Sequence, residues 1–296
     1  MSPRHHLPPT QSLTNGYITL EYLEEAGPRI VSLKLNDRPE NILAVLPENV
    51  IETEVGDYHI WGGHRIWHAP EAMPRTYVPD DGDIQIEEIP RGVRLTQPVE
   101  ALTGIQKIME IELSPGKAEV TLRHTLINKN VWTLTFAPWS ITQLNLGGIA
   151  VIPQPTASAE SSGLLPNRQV VFWPYSSWQD PRFIPTDEYL FLQGDAGDQP
   201  FKVGTFNRHG WLGYLNQGVF FIKHFVPDST REHPDRNCNT ECYIWNQFIE
   251  LESLGALKEV YPGEEVEHVE IWELHSAENV PHTPEGVRAF VESLEL

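Results

Sequence analysis

Prolines and glycines punctuate this chain from end to end, twenty-five of one and twenty-one of the other in 296 residues. They leave few uninterrupted stretches long enough for helices and favour turns instead. Between them lie short runs in which apolar and polar residues alternate. Residues 17–22 (Tyr-Ile-Thr-Leu-Glu-Tyr) alternate, as do 29–35, where Ile30, Ser32 and Lys34 share a face. Residues 84–89 meet 92–96 through Pro90-Arg91-Gly92, residues 105–113 turn at Pro115-Gly116 into 118–128, and 210–215 meets 218–225 about Asn216-Gln217-Gly218. Many short strands joined by tight turns predict antiparallel sheets. One helix is expected, over 283–294: Thr283 can cap it, Pro284 suits its first position, and Val287, Phe290, Val291 and Leu294 share a face.

The expectation is an all-β protein, a large antiparallel β-sandwich closed by a short C-terminal helix. A single domain spanning 1–296 accommodates it, with residues 1–11 as a mobile tail and 153–166 as a loop. Such a sandwich can hold this length in one core.

Charge narrows the partners. The formal net charge of −20 repels phosphate backbones and anionic lipid, so neither nucleic acid nor a membrane is an expected partner. A neutral ligand suits it better. Cys238 and Cys242 lie about 13 Å apart on an extended chain, beyond disulfide reach, and two cysteines do not make a secreted disulfide scaffold. The first ten residues carry no apolar signal region, so a cytoplasmic location is expected. Nucleophile-elbow, phosphate-loop and dinucleotide fingerprints are all missing from the sequence, and no cofactor is expected. Oligomeric state is not readable from the sequence.

Two stretches carry unusual chemistry. In Phe248-Ile-Glu-Leu-Glu-Ser-Leu254, Glu250 and Glu252 share a face with Phe248 inside an apolar strand. A buried carboxylate there is paired, shifted in pKa or functional. In Trp61-Gly-Gly-His-Arg-Ile-Trp-His-Ala-Pro-Glu71, His64 can exchange a proton near neutrality, Arg65 offers a fork of donors, and Trp67 offers a stacking face. A β-bulge with packed tryptophans and an Arg65–glutamate ion pair accounts for the same residues structurally. Zinc at His64, His68 and Glu71 is disfavoured, because Gly62, Gly63 and Pro70 break the helix that the His-x-x-x-His spacing needs. A third cluster, residues 172–182, sets Trp178 beside Asp180 and Arg182. Lys202 and Lys223 stand in apolar surroundings, where one of them could reach a cleft or both could snorkel to solvent.

The first two stretches together resemble the galactose mutarotase-like superfamily, the aldose 1-epimerases and their uncharacterised bacterial relatives. Gly62-Gly-His-Arg-Ile-Trp67 looks like the segment that supplies those proteins with a substrate-binding arginine, which falls on Arg65. Phe248-Ile-Glu-Leu-Glu252 looks like the strand of their catalytic glutamate, which falls on Glu250, and Pro262-Gly-Glu264 with Glu270-Ile-Trp-Glu-Leu274 resembles the family's end. The resemblance implies a supersandwich whose concave face holds a small-molecule carbohydrate and interconverts its anomers. It departs at Phe136-Ala-Pro-Trp-Ser-Ile-Thr-Gln-Leu-Asn-Leu146, which lacks the family's acid histidine. The expected site therefore has Glu250 as base and His64 as acid, with His124 as second choice for the acid. Arg65, Trp67, Trp178, Asp180, Arg182, Lys223 and Glu241 are expected to bind substrate. A carbohydrate-binding protein without catalysis is the alternative.

Overall fold

The structure, a computed structural model, describes residues 6–294 and residue 296. Among the described residues, two ten-stranded sheets carry most of the chain, and their strand pairs are antiparallel. The front sheet runs, edge to edge, through Thr10–Thr14, Ile18–Leu23, Ile30–Leu35, His64–Ala69, Leu134–Leu144, Ile249–Leu254, Thr240–Ile244, Phe201–Thr205 and Val171–Phe172, with Lys258–Val260 paired to Leu134–Leu144 off this path. At the centre of the back sheet lie Trp211–Asn216, Val219–Phe225, Glu265–Ser276, Glu119–Asn128 and Ile105–Leu113. A separate hairpin, Val45–Thr53 with Gly56–Gly62, is the third sheet.

The three hairpins read from the sequence are present. Their alternation becomes burial: along Ile105–Leu113 every second residue is buried, starting with Ile105. The inward faces of both sheets merge into one core, in which Leu20, Leu33, Leu144 and Leu251 of the front sheet join Ile111, Leu122, Phe221 and Trp272 of the back sheet. Each such side chain removed from water contributes roughly 1.5–3 kcal/mol.

The terminal helix runs over Pro284–Ser293, capped by Thr283, whose hydroxyl accepts from the Gly286 amide at 3.2 Å. Val287 and Val291 seat it on the outer face of the back sheet against Ile149 and Phe220. The expected tail is corrected in part: Thr10 and Gln11 already pair with Leu23 and Tyr22, while residues 1–5 lie outside the described residues. The strands flanking Pro262-Gly263, Lys258–Val260 and Glu265–Ser276, do not pair with each other; the first pairs with Leu134–Leu144 of the front sheet and the second belongs to the back sheet.

Candidate functional site

The front sheet has a second face, turned away from the core, and strand register decides what stands on it. Lys202, Tyr243, Glu250 and Gln143 are successive cross-strand partners. One step along the strands, Glu241, Glu252, Ile141 and Arg65 form the next rank. After another, Leu254, Trp139 and Trp67 form the third. Directly opposite residues share a face, and so do residues two apart, so all three ranks project to the same side. The hairpin Val45–Thr53/Gly56–Gly62 walls the space above them. The result is an open cleft of about 490 Å3, lined by Arg65, Trp67, Trp139, Lys202, Tyr243 and Glu250 among others.

Two glycines make this geometry accessible. Gly62 and Gly63 join the hairpin to the front sheet with φ of +88° and +68°. A Cβ on Gly63 would fall 1.9 Å from the Ile30 carbonyl oxygen, so backbones approach here as closely as only glycine permits.

At the foot of the cleft Arg65 Nη2 donates to Glu250 Oε1 at 3.2 Å, and Gln143 Nε2 donates to the same oxygen at 2.9 Å. Burial pushes the Glu250 carboxyl up to about 7, against the downward pull of Arg65 and with a further push from Glu252. The Arg65 guanidinium lies 4.2 Å from the centre of the Trp67 ring, and its Nε and Nη1 have no hydrogen-bond partner in the protein. Beside this pair, Lys202 Nζ sits 2.7 Å from Glu241 and 2.9 Å from Glu252, 4.8 Å from the ring centres of both Trp139 and Trp173. Burial opposes its charge, but the two glutamates hold the ammonium well above its usual range. Trp139 Nε1 donates to Glu252 at 2.6 Å and fixes that carboxylate.

Of the residues expected from the sequence, Arg65, Trp67 and Glu250 meet in the cleft, and Glu241 lies fully buried beneath Lys202. His64 does not meet them. It neighbours Arg65 on one strand, so its side chain projects to the other face, into the space between the sheets, where it is fully buried. There its Nδ1 lies 2.9 Å from Thr142 Oγ1 and its Nε2 2.8 Å from His124 Nε2. Burial holds both rings neutral, His64 well below its ordinary value and His124 at about 4. Neither can reach a ligand in the cleft.

Lys223 is likewise interior. Its Nζ lies 3.0 Å from Glu270 and donates to Ser140 O and Oγ, Thr142 Oγ1 and the Leu251 carbonyl. Burial pulls the ammonium down, but an ion pair with this many acceptors is the state that satisfies both partners. Against the push of burial, Lys223 holds the Glu270 carboxyl well below the usual range. His64, His124 and Glu270 bring ligand atoms within 4.8 Å of one another. With Lys223 already neutralising that carboxylate, the group is a poor cation site.

Trp178 is 71% exposed and lies with its ring 4.0 Å from that of Phe172, and Asp180 and Arg182 pair with each other at 2.7 Å, Arg182 also donating to the Gln199 carbonyl. None of the three lines the cleft; the Asp180–Arg182 pair braces a loop. Conversely, the sequence reading passed over Gln143, Trp139 and Tyr243. Gln143 and Trp139 alternate along the strand that lacks the histidine, and that alternation was the available signal. Lys202, rather than Lys223, is the lysine that reaches the cleft.

No family model matches the sequence, and no curated protein matches it. Solved structures do. A TPR-domain containing protein from Parabacteroides distasonis aligns over 93% of this chain at 14% identity with a TM-score of 0.63, and the chain spans 49% of that protein's length. A galactose mutarotase-like protein from Lactobacillus casei aligns over 90% of this chain and 100% of its own, at 12% identity and a TM-score of 0.56. A galactose mutarotase related enzyme from Lactobacillus acidophilus covers 92% and 99%, at 11% and 0.56. The chain has the galactose mutarotase-like fold, a large antiparallel β-sandwich.

Proposed function

We propose that the cleft binds a neutral monosaccharide or sugar derivative and that Glu250 acts on it as a general base. One observation carries this reading: the Glu250 carboxylate, raised to about 7, stands beside a guanidinium with unspent donors at the foot of an open, aromatic-lined cleft. Sugar hydroxyls need both donors and acceptors, which Arg65 and Glu250 supply. Sugar C–H faces need flat apolar surface, which Trp67 and Trp139 supply. Glu48 and Glu71 on the walls disfavour an anionic ligand. A base poised near neutrality can take the proton of the anomeric hydroxyl while a proton donor protonates the ring oxygen and the ring opens, and return it as the open chain recloses.

A second reading, sugar binding without turnover, rests on the proton donors. The cleft lining contains no histidine among the described residues. Its donors are Lys202, held up by two glutamates, and Tyr77, Tyr175 and Tyr243, raised by burial. All of these part with a proton reluctantly at neutral pH.

NMR of a panel of neutral aldoses separates the readings. Anomer exchange that Glu250→Gln abolishes supports catalysis. Saturation transfer to a sugar without exchange supports binding alone. Absence of both for every aldose overturns the carbohydrate reading.

A further inference from the structure

A second cavity, of about 380 Å3, opens elsewhere on the molecule and shares no lining residue with the cleft. Its walls are apolar: Leu102, Ile105, Trp132, Leu134 and Phe136. Trp132 is 68% exposed and Leu102 50%, an apolar rim in water. Five polar residues interrupt these walls, His68, Arg75, Thr103, Asn130 and Thr135, and two of them keep buried nitrogens without a partner in the protein.

His68 is one. It follows Trp67, so it projects to the inward side of the front sheet, where it is 1% exposed with Phe136 edge-on to its ring. Both ring nitrogens lack a hydrogen-bond partner in the protein. A neutral imidazole always carries one N–H, and burying that donor unpaired is costly. Arg75 is the other. Its Nη2 donates to the Pro70 carbonyl and its Nε has no partner. Among the described residues it has no carboxylate within ion-pairing distance, although the protein carries forty-one aspartates and glutamates. Nearby Lys107 does have one, Glu100.

A ligand that answers all three features has an acceptor for the imidazole N–H, a negative charge for the guanidinium and a hydrocarbon body for the walls. We propose that this cavity is a second ligand site and that it takes a small apolar monocarboxylate, its head towards Arg75 and His68 and its body against Ile105, Leu134 and Phe136. The volume suits one such molecule. Inorganic phosphate offers no body to bury, and an uncharged alcohol leaves Arg75 unpaired.

Calorimetric titration of the full chain with octanoate, benzoate and, as uncharged control, octanol tests this. Octanoate or benzoate binds with one-to-one stoichiometry; which of them binds tighter tells an alkyl from an aryl body. Arg75→Gln weakens the acid at least about tenfold, as the loss of one charge-assisted hydrogen bond requires. Leu102→Asp, an independent change at the exposed rim, weakens it comparably. The proposal is overturned if neither acid binds at millimolar concentration, if octanol binds as tightly as octanoate, or if both variants, folded by circular dichroism, bind like the parent.

Discussion

Arg65 and Glu250, 185 residues apart in the chain, meet at 3.2 Å on the floor of the cleft. The contact joins two strands that are not neighbours, since Leu134–Leu144 runs between them and contributes Gln143 to the same carboxylate oxygen. A guanidinium so placed both orients the carboxylate and keeps part of it ionised in a desolvated site.

If Glu250 is the base, Glu250→Gln lowers anomer exchange by at least roughly two orders of magnitude while leaving the circular dichroism spectrum unchanged. The base works when deprotonated, so the parent rate climbs as pH rises through about 7. The same carboxyl affects stability with the opposite trend. Its folded value lies above its ordinary one of 4.5, so its contribution is fully present below pH 4.5 and is lost as pH rises through about 7. Urea midpoints of parent and variant across that window read this difference directly.

Arg65→Gln removes the principal force pulling Glu250 down. The Glu250 titration, followed by carbon-detected NMR of the side-chain carboxyl, moves above about 7. An unmoved titration would mean that the guanidinium does not set the charge of this carboxyl.

Lys223→Met leaves Glu270 buried without its cation. The expected loss is about 3–5 kcal/mol in urea denaturation, because an uncompensated charge remains in the core. Adding Glu270→Gln to the same chain recovers part of the loss. No recovery would place the cost in packing rather than charge.

His68→Leu stabilises the protein. It removes two unpartnered ring nitrogens, a gain of about 1 kcal/mol or more at pH 7. The gain grows on acidification. Burial, with Lys107 and Arg75, holds the ring at about 2, against 6.5 when unfolded, so below pH 6.5 the unfolded chain binds a proton that the folded one refuses. Denaturation midpoints at pH 7 and pH 5 check both parts; a gain that shrinks at pH 5 would contradict the sign.

Local pattern determined much of this protein. Alternation and Pro-Gly punctuation yield the strands, the three hairpins and the capped terminal helix, because these depend on contacts within a few residues. Glu250 stood out for the same reason, as a carboxylate on an apolar strand, and Arg65 through the glycine pair before it. The period of two also forbids His64 and Arg65 from sharing a face of one strand, a constraint that removes His64 from the cleft once that segment is known to be extended. Tertiary structure decided the rest. Lys202 and Lys223 sit in similar apolar strands, yet one strand belongs to the sheet that bears the cleft and the other to its partner. Which sheet a strand joins, and which face then meets water, is set by hydrogen-bond pairing between segments far apart in the chain. No local sequence signal encodes that choice, because it follows from burying both inner faces at once.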